Sequence, residues 1–463
     1  RDRLRSRGLG DVYKRQRYDA ASNPGLVSNY IRVLKTDSAG HLWIGTFDGL
    51  SIRDPRSGRF ERYVHTSEPG SLSHNSIRSI FIDAQRGVWL GTYYGGVSYY
   101  HPLARRFGVL RHDPTRNSLG DNTVSCIVED PESGSLWIGT NDDGVNLYDR
   151  RTGRFSEFNT ASGSLLSNNV KCVLPDGRGR VWIGTHAGGL SSMDAATRRV
   201  RHYPVNASIP INNSCYALLD GGDGTLWVGT LNGLLSFDTA AGRFSRHLCA
   251  DYEPRLGSLQ ITTLFRDSKN RVWIGTGAGL YLWQPDVRQV MTCELTPVKD
   301  ETSPPRRDIT VMCVTEDSHR NIWVGTRHGL FRYNASDNSF TRFTVADGLP
   351  NDFVYGILED ELARLWISTN NGMACFDTRK NSFRRYTLRD GIANNQFNLY
   401  SYCRSRDGIF WFGGIGGITW FRPHDLVDNP FAPEPQITGV DVADADGDRR
   451  VRIERDSAGR VTA

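Results

Sequence analysis

A tryptophan-bearing phrase returns nine times along this chain, and no other feature restricts its fold so much. It reads HLWIGTFDGL at 41, GVWLGTYYGG at 87, SLWIGTNDDG at 135, RVWIGTHAGG at 180 and TLWVGTLNGL at 225. It continues as RVWIGTGAGL at 271, NIWVGTRHGL at 321, RLWISTNNGM at 364 and IFWFGGIGGI at 409. The tryptophans, from Trp43 to Trp411, are spaced by 46, 48, 45, 45, 46, 50, 43 and 45 residues. A period of about 40–50 residues with one Trp and several Gly per unit is that of propeller blades, four strands to a blade. Helical repeats of this length need sustained 3.6-residue periodicity, and none is present. The predicted fold class is therefore all-β, a β-propeller of four-stranded blades.

Each unit parses alike. In residues 75–111, SIRSIFID alternates apolar and polar and reads as an innermost strand. The strands VWLGT and VSYYHP follow, joined by the loop YYGG, and FGVLRH reads as a fourth strand. Asp stands six or seven residues before eight of the tryptophans, at Asp37, Asp83, Asp130, Asp176, Asp220, Asp267, Asp317 and Asp360. A metal ring is one reading. Turn chemistry is the better one, since Asp at the start of a hairpin turn accepts from its own backbone two residues on. The Gly two places after eight of the tryptophans (Ser368 takes its place after Trp366) lets neighbouring blades approach closely.

The phrase LWIGT-x-x-GL, followed by an aromatic-basic strand (GRFERY, GRFSEF, NSFTRF), closely resembles the two-component regulator propeller repeat. The resemblance runs from residue 17 to about 445. It implies an extracytoplasmic, periplasmic sensor region of a hybrid two-component system of Bacteroidetes type. Such a region has two seven-bladed propellers, a Y_Y_Y β-sandwich, a membrane helix and a histidine kinase. NNQFNLYSYCRSRDGIFWFGGIGGITWFRP at 394–423 looks like the family's last blade, and APEPQITGVDVADAD from 432 like the opening strand of the sandwich. Seven blades counted back from Trp411 begin at Trp137. The Trp411 blade shows three strands of its own, so FGVLRH reads alternatively as its missing outer strand, closing a ring. Nine consecutive blades, or eight and a stray one, are the rival count.

The expected organisation is then a non-native-looking or disordered leader (1–16), two blades of a truncated first propeller (17–105), a seven-bladed propeller (106–428), and a linker with the first sandwich strand (429–463). The leader holds six basic and two acidic residues, which accounts for +4 of the +5 net charge. No clustered basic face is left for nucleic acid. No run of about 18 apolar residues is present to span a membrane.

The eight cysteines lack the spacing of a zinc site, and five (Cys126, Cys172, Cys215, Cys313 and Cys403) recur in the inner strands as small packing residues. No cofactor, metal or catalytic residue is expected. Recognition is expected in the loops joining second and third strands, which vary between fixed flanks. The candidate ligand residues are Tyr93, Tyr94, Asn141, Asp142, His186, Arg327, His328 and Asn370, with Asn395 from the loops leading into the inner strands; Asn122, Asn169, Asn213, Asp308, Asn351 and Asp352 stand in the same lead-in loops. Asn, Asp, His and Arg can hydrogen-bond sugar hydroxyls, and Tyr offers a flat face to a pyranose. By resemblance the ligand is an oligosaccharide, bound near the junction of the propellers, and the full-length protein is a homodimer. A protein-interaction scaffold and a propeller lyase or hydrolase using His186 or His328 are the alternatives.

Overall fold

The computed structural model describes residues 17–66, 70–101, 107–205, 213–245, 252–295 and 309–426, and the backbone of a strand pair, Glu454–Arg455 with Val461–Thr462. The leader, Asp308, Cys249 and the sandwich strand expected from 432 lie outside these residues. Two compact units are present, one of Arg1–Leu103 with Val427–Ala463 and one of Ala104–Leu426. Among the described residues, eight sheets have four antiparallel strands and one has three, the whole being all-β apart from short 3-10 turns.

In the second unit seven sheets form a closed ring. Their inner strands are Val124–Glu129, Val170–Pro175, Cys215–Gly222, Ile261–Arg266, Val311–Glu316, Val354–Glu359 and Phe397–Arg404. Each lies against the next, and the last returns to the first. The seventh sheet takes Phe410–Gly414 and Gly417–Phe421 from its own repeat and Gly108–Leu110 from the chain ahead of the first blade. FGVLRH thus pairs with the Trp411 blade, and the Trp89 blade in the other unit keeps three strands, Ile77–Ile82, Val88–Thr92 and Val97–Tyr100. The borrowed strand is fixed by packing: Phe107 stands edge-on to Phe421 at 5.0 Å and to Tyr386 at 5.5 Å. At the strand ends of the same seam, Glu129 accepts from the Arg406 backbone N–H at 2.9 Å and pairs with Arg150, which also pairs with Asp407.

The repeat residues explain why each unit makes a blade. All eight repeated Asp side chains accept a backbone N–H two residues on, the turn geometry their position predicts. In six blades the second carboxylate oxygen also accepts from the indole Nε1 of the blade's Trp, at 2.8–3.0 Å. One residue therefore closes the hairpin and orients the largest core side chain. Gly139 shows the close approach between blades: a Cβ there would lie 2.5 Å from Cys126 Sγ and 2.7 Å from Val170 Cγ1 of the next blade.

The inner-strand cysteines pack as small apolar residues. Cys126, Cys172, Cys215 and Cys313 are buried free thiols. Burial pushes Cys126, Cys215 and Cys313 up to about 12 and Cys172 well above its ordinary value. A thiolate is the reactive form, so these four should resist iodoacetamide in the folded chain and label on denaturation, as read by peptide mapping. Rapid native labelling of any of them would contradict this packing.

The seventh blade departs from the pattern. Phe397 stands fourteen residues before its Trp, whereas Val170, Cys215, Ile261, Val311 and Val354 stand twelve before theirs. The pairing Phe397↔Gly414 resumes only at Tyr402↔Phe412, so the inner strand bulges. Tyr400 lies in the bulge with φ +58°. Its phenol oxygen is buried, and the partly buried ring packs on Cys126, Val170 and Val173 from the first two blades, with Cys172, Tyr216 and Cys313 raising the phenol pKa further beyond the effect of burial. Tyr402 lies over Gly356, where a Cβ would come within 2.3 Å of its ring.

Candidate functional site

One backbone hydrogen bond recurs around the ring and defines its mouth. The first residue of the loop between second and third strands donates to the carbonyl just ahead of the inner strand. Asn141 donates to Thr123, His186 to Asn169, Gly277 to Gln260, Arg327 to Thr310, Asn370 to Phe353 and Ile415 to Gln396, at 2.8–3.2 Å. These six positions are equivalent and sit at one end of the channel, yet their side chains differ in charge, size and polarity. Architecture is satisfied by the backbone, which leaves the side chains free to serve recognition.

Two clusters form among them. In the first, Lys171, second residue of its inner strand, donates from Nζ to Asn141 Oδ1 at 3.1 Å. Burial lowers its ammonium pKa, with Asp142 among the groups opposing the shift. His186 Nδ1 lies 3.2 Å from both Ser214 Oγ and Tyr216 OH. Burial, with Lys171 adding to it, lowers the His186 pKa and favours the neutral ring. In the second cluster, the Arg327 guanidinium stands 6.0 Å over the half-exposed Phe353 ring. Tyr355 OH donates to Asn370 Oδ1 at 3.4 Å. Burial raises the Tyr355 phenol and Arg327 opposes it, which places the two side chains near each other.

Asn141, Asp142, His186, Arg327 and Asn370 are thus gathered at the mouth. His328 is the second residue of its loop; its N–H donates to Thr326 Oγ1 at 2.9 Å and its carbonyl accepts from Arg342 Nε at 2.7 Å, so its backbone builds the turn. Asn395 has a structural task, its Oδ1 accepting from Leu388 N–H at 2.7 Å. Asn122, Asn213 and Asp352 hold their lead-in loops in the same way. Tyr93 and Tyr94 belong to the other unit, where Arg78 stacks 4.2 Å from the Tyr93 ring and the two tyrosines meet edge-on at 4.2 Å. The neighbouring blade repeats the device, with Arg32 4.6 Å from Phe47.

Lys171, Tyr216, Phe353, Tyr355 and Tyr400 are absent from the candidates read from sequence. The second residue of each inner strand (Ser125, Lys171, Tyr216, Thr262, Met312, Tyr355 and Asn398) varies as widely as the loops, and that variation was the available signal. No cluster of His, Cys, Asp or Glu able to hold a metal occurs among the described residues. No described helix is long and apolar enough to cross a membrane.

A closed ring of repeated four-stranded blades, with a repeated frame and loops that vary at one end, defines a β-propeller. The chain carries two-component regulator propeller repeats: that family is matched at residues 25–48, 71–94, 118–142, 164–187 and 255–278. No curated protein sequence matches the chain. Among solved structures it is similar to the extracellular domain of the putative hybrid two-component system BT3049 from B. thetaiotaomicron, at 26% identity and a TM-score of 0.73, over 92% of this chain and 56% of that one. The extracellular domain of the putative hybrid two-component system BT4673 from the same organism shares the fold at 22% identity and a TM-score of 0.55, over 87% of this chain and 54% of that one. The chain therefore spans little more than half the length of these relatives. A streptogramin B lyase also shares the fold, at 16% identity and a TM-score of 0.52, over 69% of this chain and 99% of the lyase.

Proposed function

We propose that this chain is the ligand-sensing, periplasmic part of a hybrid two-component signalling protein, homodimeric in its full-length form. It binds an oligosaccharide at the mouth of the seven-bladed ring and relays occupancy to a histidine kinase carried elsewhere in the protein. One observation carries the reading: equivalent positions on a fixed backbone bear Asn141, His186, Gly277, Arg327, Asn370 and Ile415. Packing alone would favour one residue type there, as it does at the tryptophans. The mouth also combines what sugars need, amide and hydroxyl groups for their hydroxyls and aromatic faces in Phe353 and Tyr355 for the ring. The similarity to an extracellular domain of a putative hybrid two-component system supports the location and the signalling role. Signalling then requires that the ligand bind one of two conformations more tightly.

Calorimetry of the intact chain against a panel of defined oligosaccharides tests this, with product formation followed in the same samples. One saturable ligand without turnover is expected, and Arg327→Ala or His186→Ala should weaken it by about tenfold each, with the fold unchanged by circular dichroism. Turnover of the saccharide, or a ligand whose affinity ignores both substitutions, would refute the reading.

A further inference from the structure

The ring treats its cations differently at its two ends. At the hairpin-turn end, cations meet carboxylates: Arg271 pairs with Asp267 at 2.7 Å, Arg364 with Asp360 at 2.8 Å, and Arg150 with Glu129 and Asp407. At the mouth, among the described residues, neither Lys171 nor Arg327 forms an ion pair. Lys171 is partly buried, yet its ammonium is held by the neutral Asn141 Oδ1. Arg327 is exposed and stacks on Phe353. A partly desolvated ammonium with no carboxylate in ion-pair contact is an unfavourable state that an anion from outside would relieve. A guanidinium braced on an aromatic face keeps its N–H edges free for the two oxygens of a carboxylate or sulfate.

We infer that the saccharide of this mouth is anionic, a uronate or sulfated oligosaccharide whose charged groups meet Lys171 and Arg327. The inference rests on the saccharide reading above and narrows it to a chemical class. The two cations stand in the second and fifth of seven blades, across the channel from each other, so they meet different sugar residues of one ligand. Asp142 is the opposing charge near Lys171, and it is exposed. The neutral His186 and the hydroxyls of Tyr216 and Tyr355 add donors between the two cations without adding negative charge.

The test uses the intact chain and polymers matched in backbone but not in charge: polygalacturonate against its fully methyl-esterified form, and dextran sulfate against dextran. At physiological salt, where diffuse surface attraction is screened, at least one acidic member should bind about tenfold or more tighter than its neutral counterpart. Replacing the mouth cations together, Lys171→Met with Arg327→Met, should abolish that difference. A control removing two exposed outer-strand arginines, Arg154→Ala with Arg243→Ala, should preserve it. Equal binding of neutral and acidic members would overturn the anionic class and leave the saccharide reading standing. Acidic binding that falls equally in the control would overturn it as non-specific adsorption. If no saccharide of either kind binds, both readings fall together.

Discussion

Asp267→Ala is expected to destabilise the ring by about 3–5 kcal/mol, the range for removing one partner of a buried charge pair. The Asp267 side chain has no exposed surface. It accepts from the backbone N–H of Lys269 and Arg271, from Arg271 Nε at 2.7 Å and from Trp273 Nε1 at 2.9 Å. Alanine leaves the Trp273 indole N–H without an acceptor in a fully buried site and Arg271 without its counter-charge. Asp267→Asn retains one acceptor oxygen and should cost less, about 1–2 kcal/mol. The chain supplies two controls. Trp89 is 43% exposed, so water can replace its bond to Asp83, and Asp83→Ala should cost about 1 kcal/mol or less. Asp220 is exposed and its side chain accepts from the Gly222 backbone, so Asp220→Ala should cost about 0.5–1 kcal/mol. Guanidinium melts followed by tryptophan fluorescence give the ranking. Equal costs at the three positions would show that the turn matters and the indole bond does not.

The Asp–Trp pair also marks how far the sequence could be read. Nine tryptophans at a period near 46 fix the blades, and the Asp six residues upstream announces the turn. That reading accounts for one carboxylate oxygen. The bond from the other to the indole depends on the turn folding back over the strand, which the spacing alone does not reveal. At the mouth, loop variation pointed to Asn141, His186, Arg327 and Asn370, whose backbones occupy equivalent positions at one end of the ring. Asn395 resembled them by type, but its Oδ1 holds the Leu388 backbone. Lys171, Tyr216 and Tyr355 were hidden because alternation along an inner strand looks the same whether a residue faces packed neighbours or the channel end. Tyr93 and Tyr94 showed the same variability and lie in the other compact unit.

Tyr400→Ala is expected to cost about 2–4 kcal/mol, below the full range for a core aromatic because the side chain is only partly buried. The residue is placed by an insertion of two in the seventh inner strand and by a left-handed backbone that costs a non-glycine residue about 1–2 kcal/mol. That expense is repaid by contacts with several blades, since the ring packs on the cluster containing Cys126, Val170 and Val173 and lies near Cys172, Tyr216 and Cys313. Tyr400→Phe separates packing from hydrogen bonding. The Tyr400 hydroxyl is buried with no hydrogen-bond partner among the described residues, and burial raises its pKa well above the usual phenol value. A buried hydroxyl without a partner costs about 1–3 kcal/mol, so phenylalanine should be neutral or stabilising. Loss of more than about 1 kcal/mol in Tyr400→Phe would mean that an ordered water satisfies the hydroxyl. A small effect of Tyr400→Ala would mean that the ring closes without this packing. The expected result, alanine costly and phenylalanine harmless, would make the tyrosine an apolar packing residue that joins the bulged seventh inner strand to the first two blades.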